Sequence, residues 1–412
     1  MTDDIARRAR ELDGADPLAP MRNRFDLPAN LVYLDGNSLG PLTKSARARV
    51  RETVDTAWGE HLITAWNRDG WADLPARIGA RIARLIGAAP GTVRAGDSTS
   101  VNLFKVLSAA ISLKGGDATI LSDTGNFPTD LYVAQGLAGR FDGVRLRLVE
   151  PEEVAEAIDD RVDIVMLTEV DYRTGRKHDM AALTELAHAQ GALAIWDLAH
   201  SAGAFPVALD ACGADFAVGC GYKYLNGGPG APAFYHVAER HQQAIDPLLA
   251  GWFGHAAPFA FDLDYRPADG IDRLRVGTPP VLSMAALDAS LDVFDNADLA
   301  AIADKSARLT QFFIDCVDGF AAQAGLTLAT PRAAAERGSH VSWRHEHAYP
   351  VMQALIARGV IGDMRAPDIV RFGFAPLYNS FAEVARAAGE LETILRERAW
   401  DRPEFHRRNA VT

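Results

Sequence analysis

Six short apolar-rich runs between residues 118 and 236 constrain this chain more than any other feature. They span 118–121, 144–149, 164–167, 192–196, 216–220 and 232–236, and helical patterns fall between several of them, notably at 152–158 and 180–189. Runs this short and this rich in Val, Ile, Leu and Phe fit strands buried on both faces. Their alternation with helices predicts an α/β fold, three layers around a mostly parallel sheet. With 412 residues the chain also has length for a second, smaller domain.

In an open α/β sheet, ligands bind beyond the carboxyl ends of the strands, so the residues that follow each run carry the chemistry. The 192–196 run leads into Asp197 and His200, and the 216–220 run into Tyr222 and Lys223. Neighbouring strand ends would bring Asp197 and Lys223 to one ligand. A buried lysine that forms an imine, opposite a carboxylate that keeps a pyridine nitrogen protonated, is the minimal apparatus of a pyridoxal phosphate (PLP) enzyme. A loop lysine and a strand-end aspartate on the surface would leave the same trace, so the pair alone does not decide. Gly227, Gly228, Pro229 and Gly230 follow the lysine closely, and such glycines permit positive φ and close backbone approach. Upstream, Asp97, Ser98, Thr99 and Ser100 precede a helix expected from about Val101. Hydroxyls and free N–H groups at a helix start suit a phosphate, with a plain N-cap as the alternative. Phe127 and Asp130 bracket a helix start at Pro128, Thr168 follows the 164–167 run, and an aromatic such as Phe127 can stack on a flat ring.

Three further motifs compete for attention. Gly36-Asn37-Ser38-Leu39-Gly40 has the spacing of a nucleophile elbow. An elbow sits on a central strand that others precede, and almost nothing precedes this one, so a Gly-rich turn bringing backbone and a small hydroxyl near a ligand is expected instead. His345 and His347 would share a strand face and could chelate, but a third ligand with suitable spacing is missing, Arg344 sits among them and His340 is distant. A solvated edge strand without metal is expected. Arg371 lies in the apolar run IVRFGFAP, where an unpaired guanidinium is costly. It suits bidentate recognition of an amino-acid carboxylate, against the alternative of a structural salt bridge.

Charge and cysteine usage narrow the partners. With 54 acidic against 42 basic residues the formal charge is −12, and the arginine clusters at 7–10 and 407–408 lie at the termini among acidic neighbours, so no nucleic-acid partner is expected. Cys212, Cys220 and Cys316 fit neither a disulfide framework nor a zinc knuckle, which predicts a reducing, cytoplasmic setting. No apolar run reaches membrane-spanning length and no signal-peptide core opens the chain. The expected organisation is an N-terminal helix (3–12) and proline-punctuated arm over 1–30, a large cofactor-binding α/β domain over 31–280, and linking helices with a small α+β domain over 281–412. Within the last part, strands are expected at 326–330, 340–344, 360–364 and 369–373, and helices at 350–358 and 380–396. The weakly patterned stretch 251–280 fits the lining of an active site or a subunit contact.

Seven segments in order carry a resemblance over nearly the whole chain: LDGNSLGP (34–41), DSTSVNL (97–103), NFPTDLY (126–132), WDLAHSAG (196–203), GYKYLNGGPG (221–230), GWFGH (251–255) and RFGFAPLYNSF (371–381). The chain resembles the fold type I PLP enzymes and, more narrowly, the kynureninase family. The resemblance implies PLP as cofactor, with Lys223 in imine linkage, Asp197 on the pyridine nitrogen and Phe127 stacked on the ring. It places Thr99, Ser100 and Tyr222 at the phosphate, and Asp130, Thr168 and His200 around the remainder. Trp252 and Thr278 resemble positions that reach the site from a second subunit, which implies a homodimer with shared sites. Thr278 stands where some relatives carry Asn, and both can hydrogen-bond a phosphate oxygen. Arg371 would take the substrate carboxylate. The implied reaction is hydrolytic cleavage of the β,γ carbon–carbon bond of L-kynurenine, in its unhydroxylated form, to anthranilate and L-alanine. Lys223, Tyr222 and Asp197 are the implied catalytic groups. The nearest rival is another enzyme of the same fold, a cysteine desulfurase or an aminotransferase.

Overall fold

The computed structural model describes residues 3–408. Its strands are β1 (Val32–Tyr33), β2 (Val93–Ala95), β3 (Ala118–Asp123), β4 (Val144–Val149), β5 (Ile164–Thr168), β6 (Leu193–Asp197), β7 (Phe216–Gly219), β8 (Phe234–Val237), β9 (Thr327–Leu328), β10 (His340–Arg344), β11 (Val360–Ile361), β12 (Asp363–Arg365) and β13 (Ile369–Gly373).

All six apolar runs are strands of one seven-stranded sheet ordered β2-β8-β7-β6-β5-β3-β4. β4, β3, β5, β6 and β7 are parallel, whereas β8 runs antiparallel to β7 and β2 antiparallel to β8. Only β2 went unforeseen, being three residues long and too short to show a period. β5 and β7 are buried at every position, as strands covered on both faces must be. Alternate residues feed two cores. Ile120, Ile164, Ile195 and Val218 pack with Leu103, Val106 and Leu137 from helices Thr99–Leu113 and Pro128–Ala138. Leu121, Val165, Trp196 and Ala217 pack on the opposite face with Ile78 and Ile82 of helix Leu74–Ile86 and Leu183 of helix Met180–Ala189. The buried Trp196 indole donates from Nε1 to Thr184 Oγ1 at 3.0 Å, fixing that last helix to the sheet. Register sets Thr168 beside Asp197 at the carboxyl ends of β5 and β6.

The second sheet, ordered β12-β13-β10-β9, is antiparallel and backed by helices Leu299–Asp318, Ala348–Ala357 and Phe381–Arg396. Phe312, Phe313, Trp343, Phe372 and Phe374 fill the core between them. The last helix starts on a capping box, Ser380 with Glu383. The expected 360–364 strand is divided at Gly362 into β11 and β12. β11 pairs in parallel with β1, so the first strand of the chain joins this end of the molecule. Helix Asp3–Gly14 packs there too: the Asp13 carboxylate accepts from the N–H groups of Phe381 and Ala382, and Asp16 pairs with the buried Lys305 at 2.7 Å.

The histidine expectation needs correction. His345 and His347 lie past the end of β10, and His345 is buried rather than solvated. Trp400 covers the pair, stacking on His347 with ring centroids 4.2 Å apart. No helix among the described residues is long and apolar enough to cross a membrane.

Candidate active site

The carboxyl ends of β5, β6 and β7 open on a cavity of about 170 Å³. Thr99, Ser100, Phe127, Asp130, Thr168, Asp197, His200, Tyr222 and Lys223, all singled out from the sequence, line it together with Thr129 and Ala199.

Asp197 ends β6, and its Oδ1 accepts from the Ala199 N–H at 2.7 Å in the turn that follows. Asp130, in the first turn of helix Pro128–Ala138, is buried beside it. Burial raises the pKa of both. The charge of Asp197 raises Asp130 further, well above the carboxylate range, whereas Lys223 and the Ala199 N–H pull Asp197 back. Two like groups in one dry site share one proton. The stronger rise at Asp130 favours the proton there and the charge on Asp197.

Lys223 projects from the loop after β7. Its amine lies 3.4 Å from His200 Nε2 and about equally far, 6.0 and 5.9 Å, from the ring centroids of Phe127 and Tyr222. Two buried lysines elsewhere are ion-paired, Lys105 with Asp97 and Lys305 with Asp16. Lys223 has no carboxylate within ion-pair distance among the described residues. His200 is held neutral by burial first and by the Lys223 charge second, and its buried Nδ1 has no hydrogen-bond partner. Burial, then the neighbouring Cys220, pushes the Tyr222 phenol up, so it stays protonated.

At the other end of the cavity helix Thr99–Leu113 begins, capped by Ser98, which accepts from the Val101 N–H at 3.3 Å. Thr99 and Ser100 line the cavity at a helix N-terminus, whose dipole favours an anion. The Gly36–Gly40 turn supports the lysine loop from behind. Gly40 N–H donates to the Tyr222 carbonyl at 2.7 Å, and a Cβ on Gly40 would lie 2.3 Å from the Lys223 carbonyl oxygen.

Three expected site residues lie outside this cavity. Arg371 is buried on β13 directly opposite Asp363 on β12. Its Nε donates to Asp363 Oδ1 at 2.7 Å and its Nη2 to Asp363 Oδ2 and, at 3.0 Å, to Ser38 Oγ. The Ser38 hydroxyl in turn donates to Asp363 Oδ2 at 2.8 Å. Ser38 therefore serves an ion pair and not a histidine, which ends its reading as a nucleophile. Arg371 Nη1 donates to the Tyr172 carbonyl, and the Tyr172 ring meets Phe127 edge-on at 5.1 Å, linking the ion pair to the cavity wall. Trp252 is exposed with Phe259 and Phe261 and packs on the buried Phe253. Thr278 lines a separate cleft beside Tyr235 and Arg275.

The sequence reading missed Thr129, although it lies between Phe127 and Asp130 in the same motif. It also missed Tyr172, and His340 as a neighbour of the site. His340 is fully buried with its ring 5.6 Å from that of His200, and neither of its nitrogens has a partner.

A pyridine ring with a phosphate arm and an aldehyde fits this arrangement: an amine free of carboxylates, an anionic carboxylate at a strand end, an aromatic face, an orphaned imidazole nitrogen and a helix start with hydroxyls. Fold and site define a fold type I PLP-dependent enzyme. The fold is shared with an apo cysteine desulfurase from Thermococcus onnurineus, at TM-score 0.77 and 19% identity over 92% of this chain and 98% of that one. It is shared also with a C-DES variant carrying glycine covalently linked to its PLP cofactor, at TM-score 0.76 and 17% identity over 89% and 98%. At these identities the likeness is one of fold.

Residues 302–391 match the family model of the kynureninase C-terminal domain. The kynureninase of Deinococcus radiodurans is 54% identical over 391 residues, covering 94% of this chain and 95% of that protein. That of Burkholderia pseudomallei is 51% identical over 410 residues, covering 98% and 99%. The chain belongs to the kynureninase family, and its cofactor is PLP.

Proposed function

We propose the following roles for the residues of this chain in hydrolytic cleavage of the β,γ bond of L-kynurenine to anthranilate and L-alanine, the reaction of its family. When bound, PLP supplies an electron sink for charge developing at the substrate α-carbon. Asp197 would accept from the protonated ring nitrogen and keep it charged, with Asp130 beside it favouring the proton and leaving the charge on Asp197. Phe127 stacks on the ring. Thr99, Ser100 and Tyr222 would bind the phosphate, and Thr168 and His200 would complete the cofactor shell.

Lys223 would hold the cofactor, and its amine, once released, would act as the base at the substrate α-carbon. The Tyr222 phenol, protonated and next to Lys223, gives a proton to the β-carbon after the bond breaks. Arg371 takes the substrate carboxylate through Nη1, whose bond to the Tyr172 carbonyl leaves its second N–H uncommitted. Residues 31–280 thus carry the cofactor and residues 281–412 the carboxylate-binding group. Trp252 and Thr278 serve the site of a second subunit in a homodimer. The exposure of Trp252, Phe259, Phe261 and Leu263 supports an apolar contact there. Three free cysteines support a reducing, cytoplasmic setting.

The single observation that carries the reading is the Lys223 amine, unpaired with any carboxylate, in one cavity with the Asp130–Asp197 pair and Phe127. The desulfurase alternative needs a reactive thiol. Burial pushes all three thiols up, Cys316 to about 11, which disfavours the nucleophilic thiolate. The test is an absorbance spectrum of the holoenzyme before and after L-kynurenine, with anthranilate followed by fluorescence. The expected result is a long-wavelength cofactor band, absent from Lys223→Ala, and anthranilate release. A band without anthranilate would move the assignment to a sister activity, and no band in PLP-saturated protein would overturn it.

A further inference from the structure

Four ionisable side chains from three segments interact through their charges: Asp35 just after β1, Asp363 and Arg365 on β12, and Arg371 on β13. Asp363 and Arg371 are each 1% exposed. Arg365 Nη2 donates to Asp363 Oδ2 at 2.6 Å and to Ser38 Oγ at 3.2 Å, so both guanidinium groups converge on one carboxylate and one hydroxyl. The Asp35 backbone is fixed beside the strand that carries Arg371. It bridges Gly373, and its carbonyl accepts from the N–H groups of Ser38 and Leu39. Its Oδ1 is buried and has no hydrogen-bond partner.

The other titratable groups facing Asp35 are Tyr33 on β1, Tyr224 in the lysine loop and Tyr378 before the last helix. Burial keeps all three phenols protonated, so none contributes charge. With both arginines charged and Asp363 ionised, the group carries one net positive charge when Asp35 is neutral and none when Asp35 is ionised. A buried carboxyl oxygen without a donor, beside a second carboxylate, disfavours the ionised form. Burial first and Asp363 second raise the Asp35 carboxyl to about 7, against the opposing pull of the arginines and Ser38.

We propose that Asp35 sets the charge of the Arg371 group and thereby the strength with which Arg371 takes the substrate carboxylate. Neutral Asp35 leaves one positive charge unmatched for that carboxylate, and ionised Asp35 cancels it. Asp35 touches no reacting atom and is a positioning residue. The inference rests on the assignment of Arg371 to the substrate carboxylate.

The test uses the holoenzyme and two unreactive competitive ligands: 4-(2-aminophenyl)-4-oxobutanoate, which keeps the carboxylate but lacks the α-amine, and 1-(2-aminophenyl)butan-1-one, which lacks both. Neither ligand titrates between pH 6 and pH 8. If the ionised form does not bind the carboxylate, a group titrating at about 7 makes the inhibition constant of the first ligand rise about tenfold from pH 6 to pH 8. That of the neutral ketone stays level, and Asp35→Asn flattens the profile of the first. A level profile for the carboxylate ligand in the unmodified enzyme overturns the proposal, and so does an Asp35→Asn profile that still rises. Should the Asn variant not fold, the unmodified enzyme's profile decides alone. Arg371→Gln separates the two layers. Weakened carboxylate binding in that variant with a level profile in the unmodified enzyme overturns the role of Asp35 only, whereas undiminished binding overturns the Arg371 assignment and the role of Asp35 with it.

Discussion

Replacing Gly40 by Ala tests whether the Gly36–Gly40 turn holds Lys223 in place. A Cβ built on Gly40 lies 2.3 Å from the Lys223 carbonyl oxygen, 2.5 Å from Asn226 Oδ1 and 2.7 Å from Asn226 Cα. Ordinary contact begins at 3.4 Å, so relief requires the lysine loop or the turn to move by about 1 Å, a displacement that can cost about a hundredfold in rate when it reaches a reacting group. The obstructing atoms include backbone, which cannot swing aside as a long side chain would. Gly40 has no positive φ, so alanine adopts its backbone and the cost is one of space. Overpacking of this kind costs about 1–3 kcal/mol of stability. The assay is kcat/KM from anthranilate fluorescence together with Tm from calorimetry. Gly96→Ala serves as control, since a Cβ there meets nothing within 4 Å. We expect kcat/KM of Gly40→Ala to fall about a hundredfold and Tm to drop by a few degrees while the control keeps both. Unchanged kcat/KM and Tm in Gly40→Ala would refute the reasoning.

Two further outcomes follow from the geometry. Asp215 is buried beneath the sheet and accepts from His241 at 2.6 Å, the Ala194 N–H at 2.7 Å, His188 at 2.8 Å and Arg240 at 2.6 Å. Burial pushes its carboxyl up, but these donors outweigh burial and hold it below the ordinary range. Because the folded value is depressed, its contribution is complete above the unfolded carboxyl pKa and is lost as pH falls through the lowered one. Asp215→Asn should therefore cost about 1.5–3 kcal/mol at pH 6, with the gap to the unmodified protein narrowing toward pH 2 in denaturant titrations. A gap independent of pH would contradict the ion-pair account. If the proposed homodimer shares its sites, Lys223→Ala and Trp252→Ala subunits, each inactive alone, should on subunit exchange recover about a quarter of the activity through hybrid dimers with one intact site. No recovery despite confirmed exchange would remove Trp252 from the partner's site.

The main sheet was legible because its strands are apolar on both faces and separated by helices of ordinary length. The residues after β3, β5, β6 and β7 met in one cavity because parallel strands put their carboxyl ends side by side. What stayed hidden depends on pairing across long separations. β1 reads as a strand opening the large domain, yet its partner is β11, more than 300 residues on. The ion pair of Arg371 was weighed only in general terms, because its partner lies on the neighbouring strand and the break at Gly362 that gives Asp363 its own strand carries no period. His345 and His347 looked solvated because nothing local announces Trp400, which reaches them from beyond the last helix. Ser38 was expected in a Gly-rich turn, and for a related reason its role there stayed hidden: the elbow spacing is visible in the chain, and its two guanidinium neighbours are not.

The pairing of Val32–Tyr33 with Val360–Ile361 also imposes an order in time. A ribosome adding 5–20 residues per second needs roughly 15–65 s to pass from the first of these strands to the second. During that interval the large sheet can assemble from its own contiguous segments, while the opening helix, whose Ile5, Ala9 and Leu12 face the second core, has no surface to rest on. Completion of the fold thus waits for the last hundred residues, and a ribosome stalled before them would present a cofactor cavity whose lining residues are all made, beside an unclaimed apolar helix.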